Sequence, residues 1–305
     1  MDSIDKTQLS DSKDGSSSGP VQQIIKTHKA VLGKKLTLRR ALPHRERRMI
    51  GAWCFLDHFG PLDSNAIDGL QVAPHPHIGL QTFTWILKGE ILHRASLGSK
   101  QVIQSGKVNL MTAGNGISHS EESTSNGVLH GLQLWIALPD SKRHIEPDFK
   151  HYPEVPVLTH QHVSIQVMAG EFLNVTAPTA VYSPLTGLEL KSLKNAVTTL
   201  PLNPRFEYGI LPLTAEIKVE KEVINTDSLL YLGCGHSELS LQIPEGERVL
   251  IIGGEPFNEE ILIWWNFVAR TKEEIRAATE AWNNHSHFGE VVGYPGERYC
   301  APPMP

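Results

Sequence analysis

Between Val21 and about Val268 the chain is a succession of short apolar runs cut by glycine, proline, asparagine and aspartate. Examples are LQTFTWIL (80–87), GLQLWIAL (131–138), VSIQVMAG (163–170), LSLQI (239–243), RVLIIGG (248–254) and ILIWWNFV (261–268). Some alternate with period two and others are continuously apolar, and none is long enough for a helix of ordinary length. Many short strands at close spacing restrict the fold to an all-β sandwich or barrel. One segment departs from this, TKEEIRAATEAWNN (271–284). There Thr271 can cap a helix with Glu274 three residues on, while Ile275, Ala278 and Trp282 recur at helical spacing.

With 40% hydrophobic residues over 305 positions, the β-rich region can fill two cores. It divides into halves at about 49–148 and 163–268, so the expected organisation is a disordered tail at 1–20, a first domain at 21–150 and a second at 151–305 that carries the helix. The tail is Ser, Asp, Gly and Lys with almost nothing apolar to offset the entropy of ordering. No apolar stretch suits a membrane span or an export signal, which points to a cytoplasmic protein. The odd, scattered Cys54, Cys234 and Cys300 suggest neither disulfides nor a zinc knuckle, and are expected as buried small hydrophobes. A net charge of -5 disfavours nucleic acid as a partner. The run LTLRRALPHRERRMIG holds Arg39, Arg40, Arg45, Arg47 and Arg48, either a solvated edge or a basic patch for an acidic partner.

Chemistry concentrates in APHPHIGLQ (73–81) and MTAGNGISHSEES (111–123). Residues i and i+2 of a strand share a face about 6–7 Å apart. His75 and His77 form such a pair, with Pro76 pre-setting the extended backbone. If the strand runs on without a bulge, Gln81, Phe83, Trp85 and Leu87 share that face and make it the interior. His119 and Glu121 form a second pair behind a glycine-rich turn. Together the pairs would offer three imidazoles and one carboxylate to a divalent transition metal, with positions left open for water or substrate. Spacing alone leaves a polar loop as an equal alternative, because HxH recurs at His160/His162 and His285/His287, where solvated or packing histidines are the simpler account. His93 is expected to hydrogen-bond locally within a hairpin, ahead of a role behind a ligand histidine.

The stretches HPHIGLQTFTWILKGEILHRASLG, VNLMTAGNGISHSEES and HGLQLWIALP, followed by GGEPFNEEILIWWNFVARTKEEI and the closing HFGEVVGYPGERYCAPPMP, closely resemble the pirin family over nearly the whole chain beyond the tail. The resemblance implies a bicupin, two double-stranded β-helix (jelly-roll) barrels with a short C-terminal helix. It implies one divalent metal in the first barrel, Fe(II) ahead of Mn, Ni, Cu or Zn, held by His75, His77, His119 and Glu121. Gln81 stands where many other cupins place a ligand carboxylate, which would leave Glu121 as the sole one. The second barrel, with only His236 near the comparable place, is expected to be metal-free. Ser105, Lys107 and Leu110 depart from the Pro, Asp and Trp common in relatives and bear on substrate preference. Some pirins are dioxygenases that open flavonols such as quercetin. Glu121 would then be the catalytic base, with Phe83 and Trp85 walling a small aromatic substrate. Others bind transcription factors or metabolic enzymes, so a non-enzymatic regulatory protein with a protein partner is the alternative.

Overall fold

The structure, a computed structural model, describes residues 10–11, 21–32, 36–63, 70–124 and 127–304. The apolar runs form antiparallel strands in two barrels, each a seven-stranded sheet facing a four-stranded one. In the first barrel the larger sheet runs, edge to edge, Asp148–Tyr152, Val108–Thr112, Leu80–Lys88, Val128–Ala137, Trp53–Asp63, Leu36–Leu42 and His28–Leu32. The smaller sheet runs Gln71–His77, Ile117–Ser123, Glu90–Ala95 and Lys100–Gln104. The second barrel repeats the plan, and its interior is filled by aliphatic side chains such as Val163, Ile165, Leu190, Ile210, Leu241 and Ile251.

The two larger sheets pack face to face. Trp53, Phe83, Trp85, Leu110, Leu132 and Leu134 of the first share one core with Leu185, Leu211, Leu229, Leu250 and Ile252 of the second. Leu80–Lys88 is therefore buried on both faces as far as Leu87. Its odd-numbered side chains enter the inter-barrel core, while Leu80 and Ile86 face the interior of their own barrel. Complete burial of an aromatic side chain contributes about 2–3 kcal/mol, so Phe83 and Trp85 commit that face to the interface.

Two segments cross the domain boundary expected near residue 150. Gln22–Lys26 pairs with Ser228–Leu232 and forms an edge of the second barrel, although it precedes the whole of the first. From the other end, Ile261, Ile263 and Val268 enter the first barrel's core beside Cys54, Met111 and Trp135. The helix Lys272–Asn283 follows, capped by Thr271, whose hydroxyl accepts from the Glu274 amide at 3.2 Å, and it buries Ile275, Ala278 and Trp282 as the spacing predicts. Ser10 and Asp11, within the expected tail, pair with Leu262–Ile263; the rest of that tail lies outside the described residues. No helix among the described residues is long and apolar enough to cross a membrane.

The arginine run does not form one surface. Arg40 grips Asp57 with two bonds of 2.7 and 2.8 Å inside the first barrel, and its guanidinium lies 4.5 Å above the Phe55 ring. Arg39 turns into the barrel–barrel interface and donates to His58 Nδ1 at 3.1 Å, while Arg47 stacks 3.8 Å above Tyr231; Arg45 is exposed. Of the cysteines, Cys54 is buried as expected, Cys234 is half-buried and Cys300 is exposed.

Candidate metal centre

The two ligand pairs sit on neighbouring antiparallel strands of the smaller sheet, with His75 directly opposite His119 and His77 opposite Ile117. A register shift between His119 and Glu121 places Glu121 opposite Val72 on that side, while on the other side it pairs in regular register with His93. Gly79 then ends the HPH strand. Its φ of +68° turns the chain out of the smaller sheet, and a Cβ there would lie 2.1 Å from the Val268 carbonyl oxygen, so only glycine fits. This turn overturns the expected continuous face: His75 and His77 point into the barrel, while Gln81, Phe83 and Trp85 belong to the other sheet and face away from it.

One ligand atom from each of His75, His77 and His119 can be chosen so that all three lie within 4.8 Å of one another. His93, His119 and Glu121 make a second such set, so His119 joins the two. The Nε2 atoms of His77 and His119 are 3.0 Å apart. Two nitrogens held at about 2.0–2.1 Å from one cation, at a right angle, would be separated by about 3 Å. The donor set and this spacing fit a divalent metal.

Backbone carbonyls settle two of the tautomers. His75 Nδ1 donates to Ala73 O at 2.8 Å and His77 Nδ1 to Asn266 O at 2.9 Å, leaving both Nε2 atoms with free lone pairs. Burial keeps the rings neutral. It pulls His75 down to about 4 against the bond to Ala73 O, and His77 and His119 well below the usual histidine value, where repulsion from the neighbouring rings adds to the effect. Neutral imidazole is the form that binds a metal. Glu121 moves the other way: burial pushes it up to about 7, opposed by a hydrogen bond with Thr84. Its Oε1 is buried without a hydrogen-bond partner, which marks an acceptor waiting for a cation or a donor.

The surrounding wall comes from residues the spacing argument did not single out. Trp135 meets the His77 ring edge-on at 5.2 Å and is itself stacked on Phe55 at 4.0 Å. Thr84 donates to Gln133 Oε1 at 2.9 Å, giving the interior a polar layer beside Glu121. His93 does not form the expected local hairpin bond: its Nε2 lies 2.9 Å from His119 Nδ1 and its ring stacks on Phe149 at 4.7 Å. The inward position of His93 follows from the alternation of Ile91, His93 and Ala95 along its strand, a signal legible in sequence. On the outer side, Tyr299 from the end of the chain donates its amide to Pro74 O at 3.0 Å and sets its ring 6.3 Å from His75.

Other sequence expectations fall elsewhere. Gln81 donates to Thr112 and to Ala180 O in the second half of the chain. Leu110 lies in the inter-barrel core, and Ser105 and Lys107 donate to Leu87 O and Gln104 Oε1. His160 Nε2 bonds to Thr199 O and His287 Nε2 to Asn115 O, apart from the cluster.

The Pirin family model matches residues 35–136 and that of the Pirin C-terminal cupin domain residues 188–289. A Pseudomonas aeruginosa protein named "Putative quercetin 2,3-dioxygenase" is 48% identical over 93% of this chain and 90% of its own length. A pirin-like protein of Caulobacter vibrioides is 33% identical over 80% of this chain and 86% of its own. The crystal structure of a quercetin 2,3-dioxygenase from Acinetobacter baumannii superimposes with a TM-score of 0.91 at 48% identity, covering 93% of this chain and 96% of that one.

Proposed function

The chain belongs to the pirin family, and on that premise we propose that it is a metal-dependent dioxygenase acting on flavonols such as quercetin. The observation that carries the reading is the convergence of three neutral, buried histidines beside a buried carboxylate with an unpartnered oxygen. In this reading His75, His77 and His119 hold the metal through Nε2 and Glu121 supplies the fourth ligand. Iron is the metal we favour over manganese, nickel, copper or zinc, and the cytoplasm the compartment. When bound, the metal supplies the positive charge that stabilises a deprotonated substrate oxygen and the redox chemistry with dioxygen.

The chain's own groups do the rest. Glu121, swung off the metal, is the carboxylate that takes the proton from an acidic phenolic hydroxyl. Trp135, backed by Phe55, offers a flat apolar surface beside His77 against which an aromatic ligand is oriented and shielded from water. Phe83 and Trp85, expected in that role from the sequence, are replaced in it by Trp135 because they face the second barrel.

The test is elemental analysis of the purified protein followed by oxygen uptake with quercetin. Near-stoichiometric metal and oxygen consumption, both lost in His75→Ala and Glu121→Ala, support the dioxygenase. Metal binding without oxygen uptake across a panel of flavonols and acidic phenols would sink it in favour of a partner-binding protein. Of the arginine run that could form a basic patch for such a partner, Arg39 and Arg40 are engaged inside the fold and Arg47 is stacked on Tyr231, while Arg45 is exposed.

A further inference from the structure

His93 is not part of the ligand set, yet it ends a line of three imidazoles: His93 Nε2 to His119 Nδ1 at 2.9 Å, then His119 Nε2 to His77 Nε2 at 3.0 Å. One end of this line is fixed by a backbone carbonyl. His77 donates through Nδ1 to Asn266 O, so its Nε2 is bare and can only accept. A hydrogen bond across the His77–His119 contact in the metal-free protein then requires the His119 proton on Nε2. That leaves His119 Nδ1 bare, and His93 must carry its own proton on Nε2 to donate to it. His93 Nδ1, bare in this state, is buried with no hydrogen-bond partner.

This arrangement is wrong for a metal, which needs the His119 Nε2 lone pair. To free it, the proton of His119 has to reside on Nδ1, and Nδ1–H needs an acceptor. His93 Nε2 is that acceptor only if His93 in turn carries its proton on Nδ1. We propose that His93 is a positioning residue that switches tautomer together with His119 when metal binds: His93 donates to His119 in the empty site and accepts from it in the loaded one. Each imidazole begins and ends with one proton. The His119 Nε2 proton is lost to solvent, the His93 Nε2 proton passes to His119 Nδ1, and one proton from solvent enters at His93 Nδ1. Stacking on Phe149 holds the His93 ring in plane through both states. The proposal rests on reading His77 and His119 as ligands.

The test is histidine nitrogen NMR on the full chain, metal-free and loaded with zinc, which is diamagnetic, together with zinc affinities of His93→Phe and His93→Gln. Metal-free protein is expected to show Nε2–H tautomers for both His119 and His93, and zinc-loaded protein Nδ1–H for both. His93→Phe keeps a ring against Phe149 but accepts nothing, and is expected to weaken zinc roughly 10–100-fold, the usual cost of losing a group that orients a ligand. His93→Gln, whose side-chain carbonyl can accept from Nδ1–H, is expected to recover most of that loss. Zinc binding by the wild type with the His93 tautomer unchanged overturns the switch and leaves the site standing, as does wild-type affinity in His93→Phe. Failure of the wild type to bind zinc overturns the site itself. If His93→Phe does not fold, the wild-type spectra alone decide.

Discussion

His77 Nε2 and His119 Nε2 lie 3.0 Å apart although the residues are 42 positions distant in sequence, and neither ring is placed by its own strand alone. The His77 ring is turned by a carbonyl from Asn266, and the His119 ring is held by His93 on the neighbouring strand. The centre is thus assembled from four separate parts of the chain, and its properties can be tested part by part.

The folded protein should gain stability from metal that the unfolded chain cannot match. A ligand at 100 times its Kd that binds only the native state contributes about 2.7 kcal/mol. Thermal melts with and without a chelator are expected to differ by several degrees in the wild type and to coincide in His77→Ala. Coincident wild-type melts at saturating iron, manganese, nickel, copper and zinc would count against the centre.

Glu121→Gln should separate stability from function. Because the folded protein holds Glu121 at about 7 rather than 4.5, ionising it in the metal-free state costs stability as pH rises through that window. Metal-free Glu121→Gln is therefore expected to be more stable than wild type by up to about 3 kcal/mol at pH 8, with the difference vanishing below about pH 4.5. Oxygen uptake with quercetin should be lost in the same variant. Urea unfolding at the two pH values checks the first part.

Trp135→Leu tests the aromatic wall. Removing the ring beside His77 is expected to raise KM for quercetin about tenfold, with metal content unchanged, and to cost about 2–4 kcal/mol of stability as a core truncation. An unchanged KM would move the substrate surface elsewhere in the barrel.

Acid should unfold the protein partly through a second histidine pair, at the barrel–barrel interface. His58 and His130 face each other with Nε2 atoms 2.7 Å apart, and Arg39 donates to His58 from the other side. Burial first, then the Arg39 charge, holds His130 down to about 4 and His58 well below the usual value; Arg248 adds to the effect on His130. A folded-state pKa below the unfolded one means that the unfolded chain takes up protons first, so stability is lost as pH falls from about 6.5 toward 4 and is unaffected above. Each such proton contributes a slope of about 1.4 kcal/mol per pH unit. The double variant His58→Gln/His130→Gln is expected to show a shallower decline of unfolding free energy between pH 6 and 4, and an identical decline would remove this pair from the acid response.

Local rules were enough for a large part of the molecule. The period-two runs specify strands, and Thr271, Glu274, Ile275, Ala278 and Trp282 specify the helix, because cap and spacing are properties of neighbouring residues. The pairing of His75 with His77 and of His119 with Glu121 is legible for the same reason, since an extended backbone puts i and i+2 on one side. The order and length of the pirin-like stretches then place those pairs in a single barrel.

What sequence could not decide depends on contacts between distant segments. Strand 80–88 alternates regularly, but both of its faces are buried, so alternation cannot say whether Phe83 and Trp85 face the metal site or the second barrel. That choice follows from the turn at Gly79, which sends the strand into the other sheet. Likewise, Gln22–Lys26 has no local mark of membership in the far barrel, and nothing near Asn266 announces that its carbonyl sets a tautomer 189 positions away. Sequence determined which side chains can act together along one strand, because backbone geometry is local. Tertiary structure decided which strands meet and in which protonation form the histidines face each other, because pairing, burial and hydrogen bonding are settled only when the whole chain has packed.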